Sequence, residues 1–367
     1  MMERKEEITP GRDHLVGLDG LRGLAILLVA TGHLFYRFYP FKFGWIGLNL
    51  FFVLSGYLIT DRLFYHITLP TAKYFKNFYA RRVLRIFPLY YGCLAFFFGL
   101  LPFFYVKYNQ NFGSLFHIQA WYWLYCSNWR QVFYGLPPNQ LFFHFWSLAV
   151  EEQFYLAWPL LFFIFRSLKQ RLLIICLLIF LAVVIRFWSY GTISAYYNTF
   201  TAGEPLLLGC LVCIMQKNDK LLLVYRYIRL LFIFSLLSLG LILISNSDLH
   251  ITNKLLLLIG YSNINVIWVF LLCVLITPNS LNTFVTRIFS TKILIWLGLY
   301  SYGIYVFHWI ILQLFINKYE RWGVDHGWGL SGSFWISRLL GICCILMISY
   351  ASYHLYERKF LLLKKYF

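Results

Sequence analysis

A chain of 367 residues that is 60% hydrophobic and 22% aromatic, with only 13% charged residues, has too little polar surface to cover a water-soluble fold. These proportions exclude an ordinary soluble enzyme and define a multi-span membrane protein. The net charge of +18 calls for no nucleic-acid partner, because the excess collects in short loops of the kind that mark the cytoplasmic face of a membrane.

Apolar runs near the length of a span fall at 18–37, 44–62, 86–105, 144–165, 172–190, 200–216, 230–246, 255–277, 293–316 and 333–354. The expected fold is an all-α polytopic membrane helical bundle of about ten transmembrane helices plus one re-entrant or interfacial segment. Ten spans with the amino terminus inside place Arg62, Lys73, Lys76, Arg81, Arg82, Arg85, Arg166, Lys169, Arg171, Lys364 and Lys365 on the cytoplasmic side. The expected organisation is a cytoplasmic segment 1–17, a membrane domain 18–356 and a cytoplasmic tail 357–367, in the plasma membrane with both termini inside.

The first run carries Arg22 and His33 in an otherwise apolar stretch, LDGLRGLAILLVATGHLF. Ionisable groups inside spans are costly and mark functional sites by default. In a helix, eleven steps of about 100° bring His33 to within about 20° of Arg22, roughly 16 Å further along. No small-residue cleavage site follows, so the run is expected to be a retained span. Asn49 lies at similar depth in the second run.

The basic segment 62–85 ends in F-Y-A-R-R-V-L-R, where Arg82 and Arg85 share a helix face at i, i+3. Such a pair is either a positive-inside anchor or an anion clamp, since guanidinium groups offer forked donors to phosphate oxygens. The aromatic segment 106–143 includes a short apolar stretch at 114–129. A full span there would place Arg166, Lys169 and Arg171 outside, so it is expected to be interfacial or re-entrant. Its Trp121, Trp123 and Trp129 suit an interfacial belt or a sugar-stacking face.

In the run 144–165, His144, Ser147 and Glu151 fall within about 60° of one face with Tyr155 one turn on, and Glu152 points about 100° away. Ser301, Tyr305 and His308 form a similar stripe in the run 293–316. His33, Asn49, Glu151 and His308 are thus expected at one depth near the outer surface. Imidazole exchanges protons near neutral pH, which makes His33 the leading catalytic candidate. Of the eight cysteines, seven fall in predicted spans, and the C-x-x-C at Cys210 and Cys213 suits helix packing.

Five motifs, R-x10-H (Arg22 to His33), G-x-N-x-F-F-x-x-S-G (Gly47 to Gly56), Y-x-R-R-x-x-R-I-x-P (Tyr79 to Pro88), W-S-L-x-x-E-x-x-F-Y (Trp146 to Tyr155) and S-Y-x-I-Y-x-x-H (Ser301 to His308), together resemble the acyltransferase 3 family of membrane O-acyltransferases. The resemblance runs from about residue 15 to 360. It implies transfer of an acyl group, commonly acetyl, from cytoplasmic acyl-CoA to a hydroxyl of a saccharide such as lipopolysaccharide, capsule or peptidoglycan. Arg22, His33, Arg82 and Arg85 match positions tied to activity; Arg22, Arg82 and Arg85 are expected to bind acyl-CoA, His33 and Glu151 are expected to be catalytic, and Asn49, Ser147 and His308 are expected to contact the acceptor or the oxyanion. Glu151 is expected to orient the imidazole of His33, which serves as general base or transient acyl carrier. No metal and no permanently bound cofactor is expected; acyl-CoA is a co-substrate. The chain departs from the family pattern at Asn49, where an acid is frequent, at Ala202 and Glu204 in T-A-G-E-P, where Arg and Asp are usual, and at Lys359, where proline is frequent. The rival expectations are a glycan or lipid-linked sugar transporter, for which no inverted repeat is visible, and an acyl-CoA thioesterase.

Overall fold

The computed structural model describes residues 16–100, 110–137, 139–245, 253–277 and 280–367. Residues 1–15 of the expected amino-terminal segment and the start of the aromatic segment 106–143 lie outside these residues. Among the described residues, ten long helices carry the fold. They are α1 Val16–Leu34, α2 Ile46–His66, α3 Thr71–Ala95, α4 Phe145–Ile164, α5 Leu168–Trp188, α6 Glu204–Lys217, α7 Leu221–Ser245, α8 Tyr261–Ile276, α9 Lys292–Ile311 and α10 Gly329–Ser352. The protein is an all-α polytopic bundle. Among the described residues, nine helices are long and apolar enough to cross a membrane, and they match nine of the ten predicted runs. The exception is α4, which has 20 residues. Its length suffices, but Glu151, Glu152 and Gln153 interrupt its apolar character; Glu151 and Gln153 turn into the bundle to carry polar contacts, while Oε1 of Glu152 is buried with no hydrogen-bond partner among the described residues.

The predicted re-entrant stretch is three short helices, Gln110–His117, Gln119–Trp123 and Ser127–Tyr134. Non-helical backbone at membrane depth must satisfy its polar groups within the protein. Here Tyr90 donates to Tyr122 O at 2.7 Å, Tyr91 to Trp123 O at 3.1 Å and Gln153 Nε2 to Tyr125 O at 2.7 Å. Trp129 Nε1 donates to Gln153 Oε1 at 3.1 Å, which makes this indole an internal strut.

Glycine lets helices meet at backbone distance, and the α1–α9 and α2–α6 pairs use one from each side. A Cβ on Gly298 of α9 would lie 2.0 Å from Asp19 O of α1, and one on Gly23 of α1 2.0 Å from Leu294 O of α9. Likewise, a Cβ on Gly56 of α2 would lie 1.9 Å from Leu206 O of α6, and one on Gly209 2.0 Å from Val53 O. In a membrane, where hydrophobic burial does not drive helix association, such small-residue contacts supply the packing. The first pair matters for chemistry, because the α1–α9 contact seats His33 against His308. Gly298→Val would push α1 and α9 apart. The expected outcome is a drop in monodisperse protein by size exclusion; a variant as monodisperse as the wild type would show that the close approach is dispensable.

The carboxyl-terminal helix does not leave the bundle at residue 357. A wide turn at Tyr353–Glu357 leads into the helix Arg358–Leu362. Tyr356 donates to Pro88 O of α3 at 3.1 Å, and Arg81 Nε donates to Phe367 O at 2.8 Å. The basic ends of α2, α3 and this segment therefore meet at one end of the molecule.

Candidate active site

A cavity open to solvent runs between α1, α2, α3, α4 and α9. Arg22, Arg82 and Arg85 line one end, and Ser147 and Tyr305 line the other. From Tyr155 to Ser147 the wall formed by α4 rises roughly 12 Å. Arg82 and Arg85 are half-buried, and neither guanidinium donates a hydrogen bond to protein among the described residues. The Arg82 guanidinium instead lies over the Tyr155 ring, 5.0 Å from its centroid, a contact that places the cation without using its N–H donors. Arg22 is partly committed, with Nη1 3.3 Å from Asp19 Oδ1 one helical turn earlier. Three cations with donors turned into one cavity form a receptor for an anion.

Glu151 belongs to this end of the site. Its Oε1 accepts from Ser55 and from Tyr155, so the carboxylate is held where it offsets Arg82. The expectation that Glu151 orients His33 is corrected: the partner of His33 is His308. His33 Nδ1 lies 2.8 Å from His308 Nε2, with the two rings nearly parallel at 8°. Helical phase explains the difference, since depth in the membrane is readable from position but the direction a helix faces depends on its neighbours.

The hydrogen bonds of this pair fix its protons. His308 Nδ1 is 2.7 Å from Tyr305 O and 3.2 Å from Ile304 O. A carbonyl can only accept, so His308 carries its proton on Nδ1 and its Nε2 is an acceptor. His33 must then donate from Nδ1, which leaves Nε2 of His33 with an open lone pair. His308 is fully buried while His33 is half-exposed, so the reactive nitrogen belongs to the accessible ring. Trp309 packs edge-on to His33 with centroids 4.8 Å apart and is anchored by Nε1 donating 2.6 Å to Gln140 O.

The two halves meet at Tyr305. Its side chain lines the cavity, shares a hydrogen bond with Ser147 and donates to His144 O at 2.7 Å, while its carbonyl holds His308. His144 donates from Nε2 to Val306 O at 3.1 Å; its buried Nδ1 has no hydrogen-bond partner among the described residues. Neither His33 nor His308 lines the cavity itself.

Asn49 is the second correction. It is 1% exposed and donates from Nδ2 to Asn265 Oδ1 at 2.6 Å. Asn265 donates to Glu204 Oε1 at 3.1 Å, and Glu204 pairs with Arg186. Asn49 is therefore spent in a brace joining α2, α5, α6 and α8, remote in contact from both cavity and histidines. Arg186 on α5 supplies a cation to Glu204 where residue 202 is alanine. Breaking a buried pair leaves an uncompensated charge, so Arg186→Ala is expected to lose on the order of 3–5 kcal/mol of stability. Thermal unfolding in detergent checks this; an unchanged midpoint would show that the pair is not a brace.

Two further supports escaped the sequence. Ser55 sits inside a recognised motif but gave no signal as the partner of Glu151. Arg338 on α10 pairs with Glu320 and places Nε 3.3 Å from Leu34 O, while Arg37 Nη1 reaches Glu320 Oε1 at 2.6 Å. This ion-pair group clamps the end of α1 one residue beyond His33, and nothing in the spacing of these residues links them.

A polytopic helical bundle with a cation-ended internal cavity and a histidine pair above its far end is the architecture of a membrane-embedded group-transfer protein. The chain belongs to the acyltransferase 3 family, whose acyltransferase-domain model matches residues 15–354. It is 30% identical over 318 residues to the peptidoglycan O-acetyltransferase OatA of Listeria monocytogenes, covering 83% of this chain and 50% of that protein. It is also 30% identical over 327 residues to the O-acetyltransferase OatA of Staphylococcus aureus, covering 83% and 52%. The chain spans about half the length of these curated relatives. No solved structure matches it.

Proposed function

We propose that the protein is an acyl-CoA-dependent O-acyltransferase of the plasma membrane, with the arginine end of the cavity facing the cytoplasm. It moves an acyl group, in the first instance acetyl, to a hydroxyl of a saccharide at the outer face. Peptidoglycan is the first acceptor to test, because the relatives carry O-acetyltransferase names, one of them for that polymer.

The observation that carries this reading is the single cavity that begins at three arginines and closes on Tyr305, the residue whose carbonyl sets the protons of the His33–His308 pair. Arg82, Arg85 and Arg22 hold the donor's phosphates, and the extended pantetheine arm occupies the cavity. Passage from the cavity to His33 requires the Ser147–Tyr305 contact to open. His33 Nε2 takes the proton of the acceptor hydroxyl while its oxygen attacks the thioester carbon. The carbon–sulfur bond breaks, and the CoA thiolate recovers the proton from the imidazolium. His308 holds the productive tautomer, and Ser147 is assigned the developing oxyanion.

The test is release of free CoA from acetyl-CoA by purified protein in lipid nanodiscs, with and without soluble glycan strands, with mass analysis of the glycan. Glycan-dependent release with an added acetyl ester supports the assignment. Folded protein that neither binds CoA nor releases it from any acyl-CoA would overturn it.

A further inference from the structure

The His33 end of α1 carries a cation that its ion pair does not use up. Glu320, on the short helix Asn317–Asp325, is buried. Its Oε2 pairs with the buried Arg338 of α10, whose Nε reaches Leu34 O at 3.3 Å and whose Nη1 reaches Ser337 Oγ at 3.0 Å. That pair alone balances the carboxylate and clamps α1. Arg37 is a second guanidinium on the same carboxylate, with Nη1 2.6 Å from Glu320 Oε1. Its side chain is 64% exposed, and no other hydrogen-bond acceptor meets it among the described residues. One carboxylate shared by two guanidiniums leaves one positive charge over, and this arrangement puts it at the surface. Arg37 is nonetheless held in place. Its guanidinium lies 5.5 Å from the centroid of Phe334, the ring that Arg338 covers at 4.0 Å. A guanidinium already fixed by one donor keeps its remaining donors for a carboxylate at little further cost in ordering. Beside it, Phe38 and Trp335 stack with centroids 5.6 Å apart, both exposed, and Phe38 meets Phe334 at 5.5 Å. A spare cation next to exposed aromatic faces suits an acidic saccharide, whose carboxylate meets the one and whose apolar ring face meets the other.

We propose that Arg37, with Phe38 and Trp335, forms a carboxylate-selective subsite for the acceptor glycan. The inference rests on the reading above for which end of the bundle meets the acceptor. His33 packs against Trp309 and Arg37 against Glu320, two residues of one helical run that continues from Lys292 to Asp325. Eleven residues separate these contacts, a rise of roughly 16 Å. The subsite therefore engages a unit of the glycan other than the one acylated, and its contribution is the same in ground and transition states. An anionic lipid headgroup is the competing partner for an exposed arginine, so the experiment separates the two.

Wild-type, Arg37→Gln and Arg37→Lys proteins are compared in nanodiscs of neutral and of anionic lipid. The probes are soluble glycan strands stripped of peptide, which carry free lactyl carboxylates, and the same strands with those carboxyls converted to neutral methylamides. Binding is followed by calorimetry and acetyl transfer by mass analysis. Wild type is expected to favour the carboxylate strands on the order of tenfold in Kd and KM, as befits one charge-assisted contact at an exposed site. Arg37→Gln should erase that preference with kcat unchanged, and Arg37→Lys should keep part of it. The unfolding midpoint of Arg37→Gln should move little, because Arg338 still balances Glu320. An equal loss on both kinds of strand, a loss only in anionic lipid, or wild type that binds both strands alike would overturn the proposal while leaving O-acetylation intact. Carboxylate-selective binding that Arg37→Gln removes supports the proposal even where no acetyl is transferred, a result that would count against the O-acyltransferase reading alone. Wild type that neither binds nor acetylates either strand would overturn both this subsite and peptidoglycan as the acceptor.

Discussion

His33→Ala protein is expected to accumulate in the membrane at wild-type abundance and to release CoA from acetyl-CoA at no more than about a thousandth of the wild-type rate, since general-base contributions run to 10²–10⁴-fold. Normal abundance is expected because His33 is half-exposed and its ring makes one hydrogen bond, to His308. The companion variant separates position from chemistry. His308→Ala removes the acceptor that holds the proton on His33 Nδ1, so Nε2 of His33 no longer keeps its lone pair by default. Its kcat should fall with little change in KM for acetyl-CoA, because the donor mouth is built from other helices. His308→Gln, which offers a carbonyl oxygen to the same nitrogen, should recover part of the loss. Full activity of His33→Ala at normal abundance would remove the imidazole from the mechanism. Equal loss in His308→Ala and His308→Gln, with both proteins folded, would argue that His308 does more than set a tautomer.

The second large effect is expected at the other end of the cavity. Arg82 and Arg85 direct donors into the cavity without hydrogen-bonding to protein, so replacing them should cost binding and not fold. A hydrogen bond to a charged group contributes about 1.5–3 kcal/mol, so each arginine-to-alanine change is expected to weaken CoA binding by roughly 10- to 100-fold. The Arg82→Ala, Arg85→Ala double variant should bind too weakly for a KM to be defined. The loss should fall on KM, because phosphates remote from the thioester contribute alike in ground and transition states. Lysine at either position should restore less than half of the binding energy, since a point charge cannot reproduce a forked contact. Calorimetric titration with CoA provides the check. Retained affinity in the double variant would show that the pair anchors the bundle at the membrane surface and leaves the donor to other residues.

These effects sit at two depths of the bundle, and α1 alone reaches both, with Arg22 at one and His33 at the other. Arg22 and His33 lie eleven residues apart on α1, so a helix of any packing carries them on one face at two depths. The i, i+3 spacing of Arg82 and Arg85, the stripe Ser147–Glu151–Tyr155 and the stripe Ser301–Tyr305–His308 are legible for the same reason. The bundle class was equally legible, from apolar runs long enough to span. The predicted run around α4 shows the limit of that signal, because Glu151, which serves the cavity, and its neighbours Glu152 and Gln153 interrupt the apolar pattern that marks the other nine helices.

Partners across helices were not legible. His33, Asn49, Glu151 and His308 stand at similar depths in their own helices, and depth alone suggests one cluster. The structure divides them among a histidine pair, a brace through Asn265, Glu204 and Arg186, and a carboxylate held by Ser55 and Tyr155. Sequence by itself determined what each helix carries and at what height, because those follow from 1.5 Å and 100° per residue. The rotation of each helix about its axis was decided by tertiary packing, through contacts such as Gly23 and Gly298 that fix how closely α1 meets α9. That rotation is what gives His33 an imidazole as its partner, and with it an open nitrogen.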